Sequence, residues 1–97
     1  MAQVSYSSEA LGDLERIIEH LLKYAPDSAT AALERIHSAI HILEDHPEIG
    51  RRVDPDRREL VISRGSTGYL ALYRFDPALD LVRILRIRHQ REAGYSG

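Results

Sequence analysis

The chain is expected to fold as an α+β domain of order β-α-α-β-β-β, a helical hairpin packed on one face of an antiparallel-rich sheet. Three observations predict this. Two stretches in the first half carry apolar residues at helical spacing and are separated only by Ala25-Pro26. Three runs of strand character follow in the second half, joined by short turns containing Gly or Pro. The joint apolar stripe of the two helices must cover something, and only a sheet built from the rest of the chain is available. With 97 residues the chain suits one domain, 1–97, with a single modest core.

Gln3 to Tyr6 is short and alternating, a first strand. Ser7 or Ser8 then caps a helix, with Glu9 in the first turn where the macrodipole favours an anion. Leu11, Leu14, Ile17, Ile18, Leu21, Leu22 and Ala25 follow a period of about 3.6, weakened slightly at Gly12. Ala25-Pro26 stops this helix, because the residue before Pro is pushed out of the α region. Asp27 or Ser28 caps a second helix with apolar positions Ala29, Ala32, Leu33, Ile36, Ala39, Ile40 and Leu43, ended by His46-Pro47. Glu48 to Asp56 reads as a connecting loop.

Arg58 to Ser63 is the next strand. Arg64-Gly-Ser-Thr-Gly68 turns it into Tyr69 to Phe75, and Asp76-Pro-Ala-Leu79 leads into Asp80 to His89. Leu81, Leu85 and Ile87 fall on one face of this last strand, Val82 and Ile84 on the other, so it should lie centrally. It also carries Arg83, Arg86 and Arg88 and ends at His89, which suggests that its C-terminal end leaves the core and delivers cations to a rim. Gln90 to Gly97 is polar and is expected to be a flexible tail.

Composition narrows the function classes. The absence of Cys excludes disulfides and thiolate metal sites and fits a cytoplasmic setting. No apolar run approaches the roughly 18 residues of a spanning helix, and no signal peptide opens the chain, so no membrane role is expected. The net charge of −2 hides an asymmetry: residues 1–50 hold three bases against nine acids (−6), residues 51–97 ten bases, all Arg, against six acids (+4). An acidic helical half carrying a basic sheet suits a local surface for an acidic partner rather than coating of DNA.

His37 and His41 are four apart on the second helix, a spacing that suits metal ligands. Both fall beside the Ile36/Ile40 stripe, no third ligand matches their spacing, and they read as surface histidines; no metal or cofactor is expected. His20 and His46 carry no assigned role. Motifs for nucleotide binding or an activated serine are absent, and Gly65-Ser-Thr-Gly68 is a hairpin turn. Asp54 and Asp56 share their loop with Arg51, Arg52, Arg57 and Arg58, where mutual neutralisation is the plain account. There remains a rim set: Arg58, Arg64, Arg83, Arg86, Arg88, His89, Arg91 and Tyr95. Three readings of it stay open: a His acid/base beside a phosphate-binding cluster, a docking surface for an acidic segment, or arginines that solvate the sheet edges and pair with the helices.

The run Leu43-Glu-Asp-His-Pro-Glu-Ile-Gly-Arg51, then Arg58-Glu-Leu-Val-Ile62, Gly68-Tyr-Leu-Ala-Leu-Tyr73 and Val82-Arg-Ile-Leu-Arg-Ile-Arg-His89 resembles the RelE/ParE superfamily of bacterial type II toxins. The resemblance implies a toxin neutralised by a small, acidic, partly disordered antitoxin, with no direct DNA binding expected without it. It also implies two possible targets. RelE-like members cleave mRNA on the ribosome, and ParE-like members inhibit DNA gyrase without being known as nucleases. RelE-like nucleases typically place an Arg just after the Gly-Tyr of the middle strand; here that place is Leu70, and Lys23 is the only lysine. The long paired helices and the Pro47…Gly50-Arg51 loop look ParE-like. A gyrase-binding toxin is therefore expected, with Arg58, Arg64, Arg83, Arg86, Arg88 and Arg91 as partner-binding residues. The alternatives are an mRNA interferase using His89 with Arg86, Arg88, Arg91 and Tyr95, or an inactive toxin retained as an antitoxin-binding or co-repressor component.

Overall fold

The last strand, β5 (Leu81–His89), lies inside the sheet. In the computed structural model, which describes residues 1–63 and 68–90, the order of elements is β1 (Gln3–Tyr6), α1 (Ser8–Tyr24), α2 (Pro26–Ile42), β2 (Arg51–Arg52), β3 (Arg58–Val61), β4 (Tyr69–Asp76) and β5. The five-stranded sheet runs β1-β5-β4-β3-β2. β1 pairs parallel with β5 and every other pairing is antiparallel. The parallel pair requires a crossover, which the helical hairpin supplies. The expected α+β architecture thus holds, with one strand more than expected. β2 is two residues long, too short to show a period, and is recruited from the loop by pairing with Arg58 and Glu59. The turn residues 64–67 and the tail 91–97 lie outside the described residues, so the expectation of a flexible tail falls there too.

α1 begins as expected at a serine: the Ala10 N–H donates to Ser7 Oγ at 3.0 Å. α2 differs, because neither Asp27 nor Ser28 caps it. Ala25 is the whole connection, and Pro26 opens the helix at its first turn, where a missing N–H costs nothing and the fixed φ is already helical. α2 also ends earlier than His46-Pro47: its last residue is Ile42, and hydrogen-bonded turns carry the chain through Leu43–Asp45.

The helices share one sheet face. Val82, Ile84 and Ile87 of β5, with Tyr69, Ala71 and Tyr73 of β4, pack there against Ala10 and Leu21 of α1 and Ala29, Ala32, Ile36 and Ile40 of α2. Two sequence expectations need correcting. First, Leu11 and Leu22 were placed on the inner stripe of α1 but are 50% and 59% exposed. The inward row is Ala10, Asp13, Leu21, and each leucine lies one residue, about 100°, around the helix from it. Second, Ile87 shares the helix-facing side with Val82 and Ile84 rather than opposing them. A β-bulge causes this: Tyr73 pairs with Ile84 but Leu72 pairs with Arg86, so Leu85 is an extra residue and the alternation slips by one.

The loop after α2 is fastened to the core through Gly50. Its N–H donates to the hydroxyl of the fully buried Tyr73 at 2.8 Å, and Arg58 donates to the Gly50 and Glu48 carbonyls at 2.9 and 3.0 Å. A Cβ at position 50 would lie 2.6 Å from Tyr73 Cε1 and 2.9 Å from the Glu59 carbonyl oxygen, so only glycine allows the approach. Gly50→Ala is expected to lower unfolding free energy by about 1–3 kcal/mol, the usual range for overpacking, read as a shift in the urea midpoint.

Candidate functional site

The arginines of β5 divide into two kinds, and Asp13 decides the division. This carboxylate sits on the inward row of α1, where its side chain is 3% exposed. Arg86 donates to it through Nε at 2.9 Å and through a second guanidinium nitrogen at 3.1 Å, the Ile87 backbone N–H donates at 2.8 Å, and Arg16 adds a fourth contact. Burial pushes the Asp13 carboxyl upward, but the hydrogen bonds from Arg86 and Ile87 and the charges of Arg86 and Arg16 outweigh it, leaving its pKa below the ordinary 3.8. Just upstream, the Ser7 N–H donates to the Ile84 carbonyl at 2.9 Å and Ser7 Oγ to the Leu85 carbonyl at 2.8 Å. β1 stops at Tyr6, so this edge of β5 has no strand partner beyond Ile84; Ser7 and Asp13 take over its backbone groups.

Arg83 is placed otherwise. It points to the face away from the helices, is exposed, and donates to Ser5 Oγ at 3.2 Å. Its register partner on β4 is Arg74, also exposed, so two guanidiniums stand directly opposite one another. Like charges in that position repel, and among the described residues neither makes an ion pair with a carboxylate. Glu9 is the acid that senses Arg83. Its carboxyl is held below the ordinary range first by a backbone hydrogen bond and the Ser8 hydroxyl, then by Arg86 and Arg83. Arg74 was not among the residues singled out from the sequence, although its place in the alternation of Tyr69–Asp76 puts it on the same face as Leu70 and Leu72.

The remaining rim residues are spread out. Arg88 pairs in register with Leu70 and donates to the His89 carbonyl at 3.2 Å. His89 is opposite Tyr69, the rings edge to face with centroids 5.3 Å apart. Gln90 ties this end of β5 to the β3–β4 connection, donating from Nε2 to the Ser63 carbonyl at 2.9 Å and from its N–H to the Gly68 carbonyl at 2.9 Å. Arg58 lies on the helix side near Glu48, far from Arg83 in register. Arg64, Arg91 and Tyr95 lie outside the described residues. Neutralisation in the Arg-rich loop is partly as expected: Arg57 pairs with Asp54 at 2.6 Å, but Arg51 reaches the buried Glu59 at 2.8 Å instead of a loop aspartate.

The fold, two helices packed on a five-stranded, mostly antiparallel sheet, is shared with small toxins of known structure. The model of the ParE toxin of the type II toxin-antitoxin system parDE matches residues 4–94. Toxin RelE3 of Caulobacter vibrioides is 39% identical over 92 residues, covering 95% of this chain and 98% of that one. Toxin RelE2 of the same organism is 35% identical over 89 residues, covering 92% and 96%. Among solved structures, the chromosomal ParDE TA system from P. aeruginosa superposes with a TM-score of 0.74 at 25% identity, covering 92% of this chain and 96% of that chain. The chain belongs to the ParE toxin family, within the RelE/ParE superfamily of type II toxins.

Removing Asp13 takes one carboxylate acceptor from a mostly buried guanidinium and from the Ile87 backbone N–H. Asp13→Ala is expected to cost about 3 kcal/mol in chemical denaturation, the low end for breaking a buried pair. The depressed pKa has a definite sign. The stabilisation is complete above the unfolded carboxyl value near 3.8 and is lost as pH falls through the lower folded value, so the stability gap between wild type and Asp13→Ala should narrow below that pH.

Proposed function

We propose that this toxin arrests growth by binding DNA gyrase, with no catalysis of its own, and that an acidic, partly disordered antitoxin neutralises it in the cytoplasm. One observation carries the reading: among the described residues, Arg74 and Arg83 stand exposed in direct register on the sheet face with no carboxylate partner. The place after Gly68-Tyr69, where RelE-like nucleases carry an arginine, holds buried Leu70, and the Arg86 guanidinium is engaged by Asp13. An exposed basic surface suits recognition of an acidic macromolecule. The match to the ParE toxin model over residues 4–94 supports the gyrase side. The solved ParDE system among the structural neighbours supports an antitoxin partner.

The alternative is ribosome-dependent mRNA cleavage by His89 with Arg86, Arg88, Arg91 and Tyr95, favoured by the RelE names of the two curated relatives and by the place of His89 at the end of β5. Purified toxin assayed on gyrase supercoiling and on translating ribosomes separates the two. Supercoiling should be inhibited and messenger left whole; cleaved messenger with unaffected supercoiling overturns the proposal.

Arg83→Glu tests the sheet face directly. A carboxylate opposite Arg74 exchanges repulsion for attraction, so the free toxin should gain roughly 0.2–1 kcal/mol in thermal or urea unfolding. The same change should weaken binding of the acidic antitoxin, most at low ionic strength, in a calorimetric titration. Unchanged affinity across salt concentrations would show that Arg83 is not part of the docking face.

A further inference from the structure

On the outer face of α2 the structure brings together what spacing alone left as two surface histidines. The rings of His37 and His41 lie with centroids 6.2 Å apart and planes within 23°, and both residues are exposed. A third side chain joins them: His41 Nδ1 is 2.7 Å from Glu44 Oε2. In the neutral imidazole, Nδ1–H donating to that carboxylate leaves the Nε2 lone pair as the metal-binding site, the arrangement by which outer carboxylates orient metal-bound histidines. Glu34, one turn before His37 and exposed, continues the same helix face, so the row Glu34, His37, His41, Glu44 carries carboxylates and imidazoles and no Lys or Arg. His41 also occupies the last turn of the helix, where the macrodipole favours a cation.

We propose that His37 and His41, with Glu44 positioning His41, form a two-histidine site for a borderline transition-metal ion such as Zn²⁺, Ni²⁺ or Cu²⁺. Histidines four apart on a helix converge on one ion, and imidazole nitrogen selects these metals over Mg²⁺ and Ca²⁺. Among the described residues no group of three or more His, Asp, Glu or Cys side chains encloses an ion, so water completes the coordination and the affinity is modest. The inference stands apart from the toxin's target: it rests on α2 and the turn that follows it.

Untagged full-length protein titrated calorimetrically with NiCl₂ or ZnCl₂ tests it. One ion should bind per chain, with neither Mg²⁺ nor Ca²⁺ competing. His37→Ala and His41→Ala should each lower affinity at least tenfold, and His20→Ala should leave it unchanged. Glu44→Gln should lower it about tenfold, as outer-carboxylate changes do. The alanine variants replace exposed helix residues with the best helix former, so they should fold, and their unfolding curves check this. Absence of binding by wild type, or equal binding by the His37→Ala/His41→Ala double variant, overturns the proposal.

Discussion

The hydrogen-bonded carboxylate of Asp13 is the constraint on which the rest of the structure depends. It joins the first helix to the last strand, residues more than 70 positions apart, through the Arg86 guanidinium and the Ile87 backbone N–H at once. A buried charge is tolerated only when its lone pairs are filled, and here they are filled by the strand that the helix covers. The arrangement also explains the bulge. With Leu85 inserted, Arg86 falls opposite Leu72 and its guanidinium meets Asp13, the edge N–H of Ile87 finds the same acceptor, and Ile87 returns to the core with Val82 and Ile84. Helix packing, strand register and bulge are thus a single solution, and no one of them is chosen independently.

That solution sorts the arginines of the second half. Arg86 and Arg58 are held inward, the first by Asp13 and the second by the carbonyls of Glu48 and Gly50. Arg51 and Arg57 are matched by Glu59 and Asp54. What the sheet displays is the Arg74/Arg83 pair, two like charges in direct register, with Ser5 the hydrogen-bond partner of Arg83. A fold gains nothing from such a pair. Under the proposed function, stability and recognition pull on these two positions in opposite directions.

The acidic first half is divided in a similar way. Asp13 is spent on the interior, Glu9 sits where it senses Arg83 and Arg86, and Glu34 of α2 and Glu44 of the turn after it flank the histidine pair. The apolar residues left outside, Leu11 and Leu22 of α1 among them, do not form the core that their spacing suggests. A helix of 17 residues on a sheet buries one row, and neighbouring rows of the same hydrophobicity stay at the margin.

The elements and their order were legible from the chain alone: a short first strand, two helices broken at Ala25-Pro26, three further strands, and β5 inside the sheet. These depend on local preferences and on period, which neighbours in the chain express. The outward position of His37 and His41 was legible for the same reason. Tertiary contacts alone settled which face of β5 carries Ile87, that a carboxylate, Asp13, rather than an apolar residue completes the inward row of α1, that Arg74 stands against Arg83, and that Arg51–Arg52 becomes a strand. A one-residue bulge reverses a face, and a cross-strand pair joins residues that share no local pattern. Long-range register is written in contacts that exist only once the chain has closed.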